Sequence, residues 1–253
     1  VSRILFVTGT DTDVGKTLLT VSLLFHLRQS GVNALAMKPF CSGGTGDVDL
    51  IQAVQGRGVP REMVNPFYFS EAVAPLAAAR KLRQSIRLSQ VLAAIRRMRE
   101  RCACLIVEGS GGLLVPLGEG FTVADLIANL DCDVVVVGRN KLGTINHTLL
   151  TVEALRARAV RRIKVVMMGQ SSADSSVKNN AALLGETLAN IELFSIPYLG
   201  ARATQMGRLK RNVRKIKKTL AQIGGPDNFS TRSSTAAKPS SKTKGLKETK
   251  KDR

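Results

Sequence analysis

Along residues 3–200, short unbroken apolar runs alternate with stretches whose apolar residues keep helical spacing. Residues 3–8 predict a strand, and residues 9–15 a loop of Gly, Thr and Asp. Leu19, Leu23, Leu24 and Leu27 then share one face of a helix over 16–30, which Gly31 ends. Further strands are predicted at 32–37, 105–108, 133–137, 163–168 and 194–197, with helices at 47–55, 88–101, 123–130, 144–157 and 176–189. Strands in alternation with helices imply an α/β fold, a parallel sheet with helices on both faces. Continuous apolarity, as in Val134–Val137, suits strands buried on both sides. Such sheets bind ligands at the carboxyl ends of their strands, so the loops that follow the strands are where chemistry is expected.

The rhythm changes after residue 203. Met206, Leu209, Val213, Ile216, Leu220 and Ile223 form one apolar seam on a helix otherwise set with Lys and Arg. The seam predicts a terminal helix over 204–223 docked on the body or on a second subunit, in preference to a membrane-surface helix. From 224 to 253, Ser, Thr, Lys, Gly and Pro dominate, which predicts a disordered basic tail. The chain is thus expected to comprise an α/β domain (1–203), a basic amphipathic helix (204–223) and a tail (224–253).

Charge and composition narrow the function. Of 253 residues, 38 are Lys or Arg and 19 Asp or Glu, a net charge of +19. The last 46 residues hold 15 of the basic residues against 3 acidic ones, so the excess is concentrated outside the α/β domain. Nucleic acid is therefore not expected as a partner of that domain. The tail, with Phe229 as its one aromatic residue, offers weak, salt-sensitive polyanion contacts. Apolar residues make up 44% of the chain, enough for a substantial core, and no apolar run approaches the ~20 residues of a bilayer span. The start of the chain lacks the basic lead and apolar stretch of a signal peptide. Cys41, Cys102, Cys104 and Cys132 form no CxxC pair, and His26 and His147 make no His-rich metal site. A cytoplasmic protein without a disulfide framework or structural zinc is expected.

Candidate chemistry starts in the first loop. Residues 8–17 read TGTDTDVGKT between a predicted strand and a predicted helix, the context a phosphate-binding P-loop requires. Gly15 lets the backbone approach phosphate oxygens, loop N–H groups point at the anion, Lys16 supplies a mobile positive charge and the Thr17 hydroxyl is placed for Mg²⁺. Five residues separate Gly9 from Gly15, one more than usual. Lys38 closes the second strand in MKPFCSGG and projects toward the ligand crevice, where it could stabilise transferring phosphoryl charge. On its own it reads equally as a solvated strand-end lysine. Ser42, Gly43 and Gly44 continue a small-residue loop. Asp49 opens a helix, where it could hold metal or cap the helix; in isolation the cap is the better reading. Glu108 ends the third strand in LIVEGSGGLLVPL and is placed like the acid that supports Mg²⁺ in P-loop enzymes. Gly109, Gly111 and Gly112 allow close backbone approach. A fourth segment, GRNKLGTINHTLLT at 138–151, opens a helix whose first N–H groups could bind a carboxylate, with Asn146 and His147 as recognition candidates.

Taken together and in this order, GTDTDVGKT, KPFCSGG, VEGSGGLLVPL and KLGTINHTLLT resemble the dethiobiotin synthetase family over about residues 3–200. The resemblance implies a P-loop NTPase-type α/β fold and a homodimer. It implies conversion of 7,8-diaminopelargonate, CO₂ and MgATP to dethiobiotin, ADP and phosphate in biotin biosynthesis. By matching motif, Asp13, Val14, Gly15, Lys16, Thr17 and Leu18 would wrap the ATP phosphates, joined by Glu108, Gly109, Ser110 and Gly111. Thr17, Asp49 and Glu108 would hold Mg²⁺. Lys16 and Lys38 would stabilise phosphoryl transfer, and Thr12 and Ser42 would face the diamine and its carbamate. Gly143, Thr144, Ile145, Asn146 and His147 would bind the substrate carboxylate across the dimer interface. Gly169, Gln170, Pro197, Tyr198 and Leu199 would flank the adenine. The sequence departs from the pattern at Asp13, where many members have Glu, and at Gly169, where an Asn is frequent. The segment between Ser42 and Asp49 is also short.

Other readings are weaker. A partitioning-type regulatory ATPase would carry a second lysine where this chain has Asp11. The amidotransferase synthetases of corrinoid acids add a glutaminase domain with Cys and His, and this chain has neither after residue 200.

Overall fold

The structure is a computed structural model and describes residues 2–56, 58–172 and 174–225. In chain order the elements are β1 (Arg3–Gly9), α1 (Lys16–Gln29), β2 (Ala34–Met37), β3 (Phe40–Ser42), α2 (Gly46–Gln55), α3 (Arg61–Val64), β4 (Phe67–Phe69), α4 (Pro75–Lys81), α5 (Leu88–Arg99) and β5 (Cys104–Glu108). They continue with β6 (Pro116–Gly118), β7 (Phe121–Thr122), α6 (Val123–Ala128), β8 (Asp133–Arg139), α7 (Thr144–Arg156), β9 (Ile163–Met168), α8 (Val177–Thr187), β10 (Glu192–Ile196), α9 (Met206–Lys215) and α10 (Lys217–Gly224).

The predicted strands form one sheet in the order β10-β9-β8-β1-β5-β2, parallel throughout. The apolar runs that predicted them lie between helical layers: every residue of β5 is buried, as are Val134 to Val137 of β8. The chain runs from β1 past β5 to the edge strand β2, returns to β5, and then crosses to the other side of β1 as β8. The strand order therefore reverses at β1, whose carboxyl end lies between those of β5 and β8, with Val7 opposite Glu108 and Gly9 opposite Val137. A crevice at such a reversal is where an open parallel sheet receives a ligand.

Two small β ribbons and the short helices α3 and α4 have no counterpart in the sequence reading. β3 and β4 pair as a parallel ribbon in which the Phe40 and Phe67 rings stack at 4.9 Å, and β6 and β7 form a short antiparallel pair. Strands of three residues or fewer are too short for apolar periodicity to show. The strand expected at 32–37 begins at Ala34, and the Asn33 carbonyl before it accepts from the Ala103 and Cys104 N–H groups.

The C-terminal seam forms two helices rather than one, α9 and α10, which meet at Ile216. Leu209, Val213, Ile216, Leu220 and Ile223 are buried, and both helices pack on α1 of the same chain. The Arg3 guanidinium donates to the Gly224 carbonyl and Lys164 to that of Gln222 at 2.8 Å, which satisfies carbonyls that a helix end leaves unpaired. The tail from 226 onward, for which disorder was expected, lies outside the described residues. The four cysteines are free and buried. Among the described residues no helix is long and apolar enough to cross a membrane.

Candidate active site

The loop after β1 is held open by its own geometry. Gly15 takes φ 102° as the N-cap of α1, and Asp13 takes φ 55° without being glycine. A Cβ on Gly9 would lie 2.8 Å from Val14 Cγ2 and 2.9 Å from the Asp11 carbonyl oxygen, so the loop closes only over a glycine. Val14 is buried beneath the loop, Leu18 and Thr17 are half-buried, and Thr12 and Asp13 are exposed. The Thr12 N–H donates to the Asp11 carboxylate at 2.7 Å. Lys16 is buried and donates to the Asp11 carbonyl oxygen at 2.7 Å.

Across the crevice, Lys38 at the end of β2 donates to Glu108 Oε1 at 2.9 Å and to the Asp47 carboxylate. Thr17 Oγ1 donates to the same Glu108 oxygen at 2.7 Å. The Glu108 side chain is fully buried, and its second oxygen, Oε2, has no hydrogen-bond partner. The backbone of Lys38 is fixed on both sides: its N–H donates to the Val64 carbonyl at 2.9 Å, and Asn65 Nδ2 donates to its carbonyl at 2.8 Å. One carboxylate thus ties Thr17 of the P-loop helix to Lys38 of a neighbouring strand.

The two lysines differ in charge economy. Burial pushes Lys16 down to about 8; the Glu108 charge opposes that fall and the Lys38 ammonium reinforces it. Burial also works against the charge on Lys38, but Glu108 and Asp47 outweigh it and hold this ammonium above the ordinary lysine range. Lys38 is a fixed cation, whereas Lys16, still largely charged at neutral pH, loses its proton in the mildly alkaline range unless an anion is bound. Phosphates at the loop would restore its charge. At pH above about 8, binding of MgADP should therefore be accompanied by proton uptake, and affinity should decline as pH rises further. Calorimetry in buffers of different ionisation enthalpy reads the proton directly, and Lys16→Met should abolish it; uptake that persists in that variant would refute the assignment.

The acid expected from the sequence to join Glu108 is Asp49; in the structure the carboxylate that meets Lys38 beside Glu108 is that of Asp47. Asp49 is exposed and pairs with Arg61 at 2.5 Å and with Thr45 Oγ1 at 2.8 Å; the Arg61 bond first and the Thr45 bond second lower its pKa. Both acids lie in the first turn of α2. Residues two apart on a helix point roughly 200° from one another, so only one of the pair can face the crevice. Asp47→Asn should lower Mg²⁺-dependent turnover by about 10²-fold, while Asp49→Asn should leave it near wild type; comparable losses in both variants would overturn the exchange.

Other predicted residues are distributed around this centre. Ser110 Oγ donates to the Phe40 carbonyl at 2.6 Å and thereby joins the loop after β5 to β3. Gly109 packs against Phe6, and Gly111, at φ 64°, lies beside Thr12 and Val115. Ser42 is half-buried, and its hydroxyl has no partner. Gly143 takes φ 89° as the N-cap of α7, followed by Thr144, whose buried hydroxyl is also unpartnered. Ile145 is half-buried, and Asn146 and His147 are exposed.

The Gly169 N–H donates to the Ile196 carbonyl at 2.7 Å, and a Cβ at 169 would lie 2.5 Å from Tyr198 N. The chain beyond β9 therefore runs directly against Pro197 and Tyr198, leaving no room at 169 for the Asn frequent in the family resembled. Gln170 turns back to donate to the Met168 carbonyl at 2.9 Å, and Pro197 and Tyr198 are exposed while Leu199 is half-buried. Met168 also reaches the space above Gly15, which brings this segment beside the P-loop. Besides Asp47, the sequence reading did not single out Asn65, which positions Lys38, or Arg139, whose guanidinium reaches the P-loop. Asn65 carries no motif signal. The signal for Arg139 is its place at the carboxyl end of a strand next to the first one.

A parallel sheet with a Gly-Lys-Thr loop between its first strand and helix, and a buried acid at the end of the adjacent strand, defines a P-loop nucleotide-binding protein. Residues 3–205 match the AAA domain family AAA_26. The ATP-dependent dethiobiotin synthetase BioD of Anaeromyxobacter dehalogenans strain 2CP-1 is 40% identical over 215 residues, covering 82% of this chain and 96% of that protein. The BioD protein of Bacillus subtilis strain 168 is 34% identical over 197 residues, covering 76% and 85%. The chain belongs to the ATP-dependent dethiobiotin synthetase family, ligases of biotin biosynthesis. Among solved structures, the MinC:MinD cell division protein complex of Aquifex aeolicus superposes with a TM-score of 0.56 at 14% identity, covering 88% of this chain and 93% of that one. A putative plasmid partition protein of Borrelia burgdorferi B31 gives 0.55 at 12%, covering 87% and 99%. At these identities the likeness is one of fold.

Proposed function

We propose that the chain carboxylates 7,8-diaminopelargonate and closes it to dethiobiotin at the expense of ATP. The observation that carries this reading is the convergence of Lys16, Thr17, Lys38 and the fully buried Glu108 at the carboxyl ends of adjacent strands, in a member of the synthetase family. A substrate amine adds to CO₂ to give a carbamate. The γ-phosphoryl group passes to a carbamate oxygen, and the second amine attacks the resulting mixed anhydride and releases phosphate. No protein nucleophile is required, so positioning and charge stabilisation carry the rate. Lys16 and Lys38 meet the charge on the transferring phosphoryl group, and the unpartnered Ser42 hydroxyl faces the diamine or its carbamate together with Thr12.

The site suits a divalent cation. The orphan Oε2 of Glu108, the Thr17 hydroxyl and the Asp47 carboxylate are hard oxygen ligands. Among the described residues no group of three His, Cys, Asp or Glu side chains makes a metal centre by itself. Mg²⁺ bound there would neutralise phosphate charge during transfer.

The reading extends to the assembly. The N-terminus of α7, with the unpartnered Thr144 hydroxyl, offers donors for the substrate carboxylate together with Gly143, Ile145 and Asn146. Leu142 and Leu150 on this segment are 78% and 57% exposed. A homodimer that covers them places this carboxylate site at the subunit boundary, and Leu150→Asp should shift the sedimentation coefficient to that of a monomer. A cytoplasmic location, ATP as nucleotide with the adenine beside Gly169, Gln170 and Pro197–Leu199, and no membrane or nucleic-acid partner for the folded domain complete the proposal.

The deciding experiment measures ADP release from MgATP and bicarbonate with and without the diamine. Release that requires the diamine, matched by dethiobiotin, supports the synthetase; diamine-independent release would instead favour a partner-regulated ATPase on the same fold.

A further inference from the structure

Three consecutive carbonyls of the phosphate loop are each engaged by a cation. The Asp11 carbonyl accepts from Lys16 at 2.7 Å, that of Thr12 from Arg139 Nη2 at 3.0 Å, and that of Asp13 from Arg139 Nε at 3.2 Å. Where successive carbonyls point outward, the N–H groups beyond Thr12, whose own N–H is taken by the Asp11 carboxylate, are free to point the other way, and this is how a backbone concavity for anions is built. Asp13 sits in the left-handed region, which a residue with a Cβ occupies at a cost. Its carbonyl accepts from Arg139 in that conformation.

The guanidinium is well supported. Arg139 is the last residue of β8 and is paired in register with Met168 of β9. The next residue, Asn140, donates its N–H to the Met168 carbonyl at 2.8 Å, and its side-chain oxygen accepts from Asn180 Nδ2 at 2.9 Å. On the loop side, the Thr10 N–H donates to the Val137 carbonyl at 2.9 Å. A rigid strand end therefore presents a fork of two donors to two adjacent acceptors. A lysine cannot reproduce this, because its ammonium is a single point on a flexible stem. Lys16 is committed to the phosphates in the reading above, so Arg139 is the cation whose bonds serve the loop itself.

We propose that Arg139 is a positioning residue for the nucleotide: by holding the Thr12 and Asp13 carbonyls outward it keeps the loop N–H groups aimed at the phosphates before ATP arrives. The inference rests on the nucleotide reading of the loop and does not depend on which acceptor receives the phosphoryl group. In the full-length protein, Arg139→Gln should weaken MgADP binding, measured by calorimetry, by about 10- to 100-fold. It should raise the KM for ATP in step, while the KM for the diamine stays within about twofold. Arg139→Lys should recover less than half of the lost binding free energy, although it keeps the charge. Parallel rises in both KM values, an unchanged MgADP affinity in folded Arg139→Gln, or full recovery by Arg139→Lys would each overturn the proposal. If wild-type protein binds MgADP but forms no dethiobiotin, the functional reading fails, and the affinity comparison still decides the role of Arg139.

Discussion

Lys16→Met should reduce dethiobiotin formation by about 10³-fold and leave the folded protein at least as stable as wild type. The two halves of this expectation have the same cause. In the unliganded site the Lys16 ammonium is buried and bonded to a backbone carbonyl, without a carboxylate in direct contact. Burial dominates its pKa, which falls to about 8, so folding pays for a poorly compensated charge. Methionine has a similar reach and removes that cost, and Glu108 keeps both of its donors, Thr17 and Lys38. The Asp11 carbonyl loses one bond but lies on an exposed loop. Catalysis has no such replacement, because the charge on the phosphoryl group in transfer needs a cation at this position more than bound ATP does. kcat should therefore fall further than MgADP affinity. Thermal melting, product formation and nucleotide affinity on one preparation test all three parts. Near-normal turnover, or a melting temperature well below wild type, would contradict the account.

The sheet was legible because its strands are buried on both faces: runs such as Val134–Val137 cannot be read as amphipathic, and α5 carries a clear apolar stripe. The P-loop was legible because Gly15, Lys16 and Thr17 are local in sequence and act together. Contacts between distant segments were not legible. Asp47 and Asp49 are two residues apart, and composition gives no means of choosing between them; the phase of α2 relative to Lys38 decides, and that phase depends on where the helix starts. That phase brings Asp47 to Lys38 and leaves Asp49 with Arg61. Asn65 and Arg139 act through backbone carbonyls, which leave no pattern in the identity of their partners. The break at Ile216 was hidden because an unbroken seam and a kinked one have the same spacing. Gly169 was visible as a departure from its family, and the structure gives the departure a physical content, since a side chain there would collide with Tyr198.

Lys38→Met should also lower product formation by about 10³-fold, but here the fold should suffer as well. Lys38 neutralises a Glu108 side chain with no exposure, and it holds the half-exposed Asp47 against the same centre. Without the ammonium, Glu108 retains one hydroxyl donor, and two carboxylates face one another across the gap. Breaking one side of a buried ion pair costs about 3 kcal/mol or more, because the remaining charge is left uncompensated. That cost is an argument about the residual carboxylate, so it can be removed separately. In the double variant Lys38→Met, Glu108→Gln the buried charge is gone, and Thr17 still has an acceptor in the glutamine carbonyl. Most of the lost stability should return, while activity should not, because neither the cation for the phosphoryl group nor the acid for Mg²⁺ is restored. Denaturant midpoints for the two single variants and the double variant give the coupling energy. Strict additivity of the three values would show that the pair does not act as a unit and would refute the charge-pair account of this site.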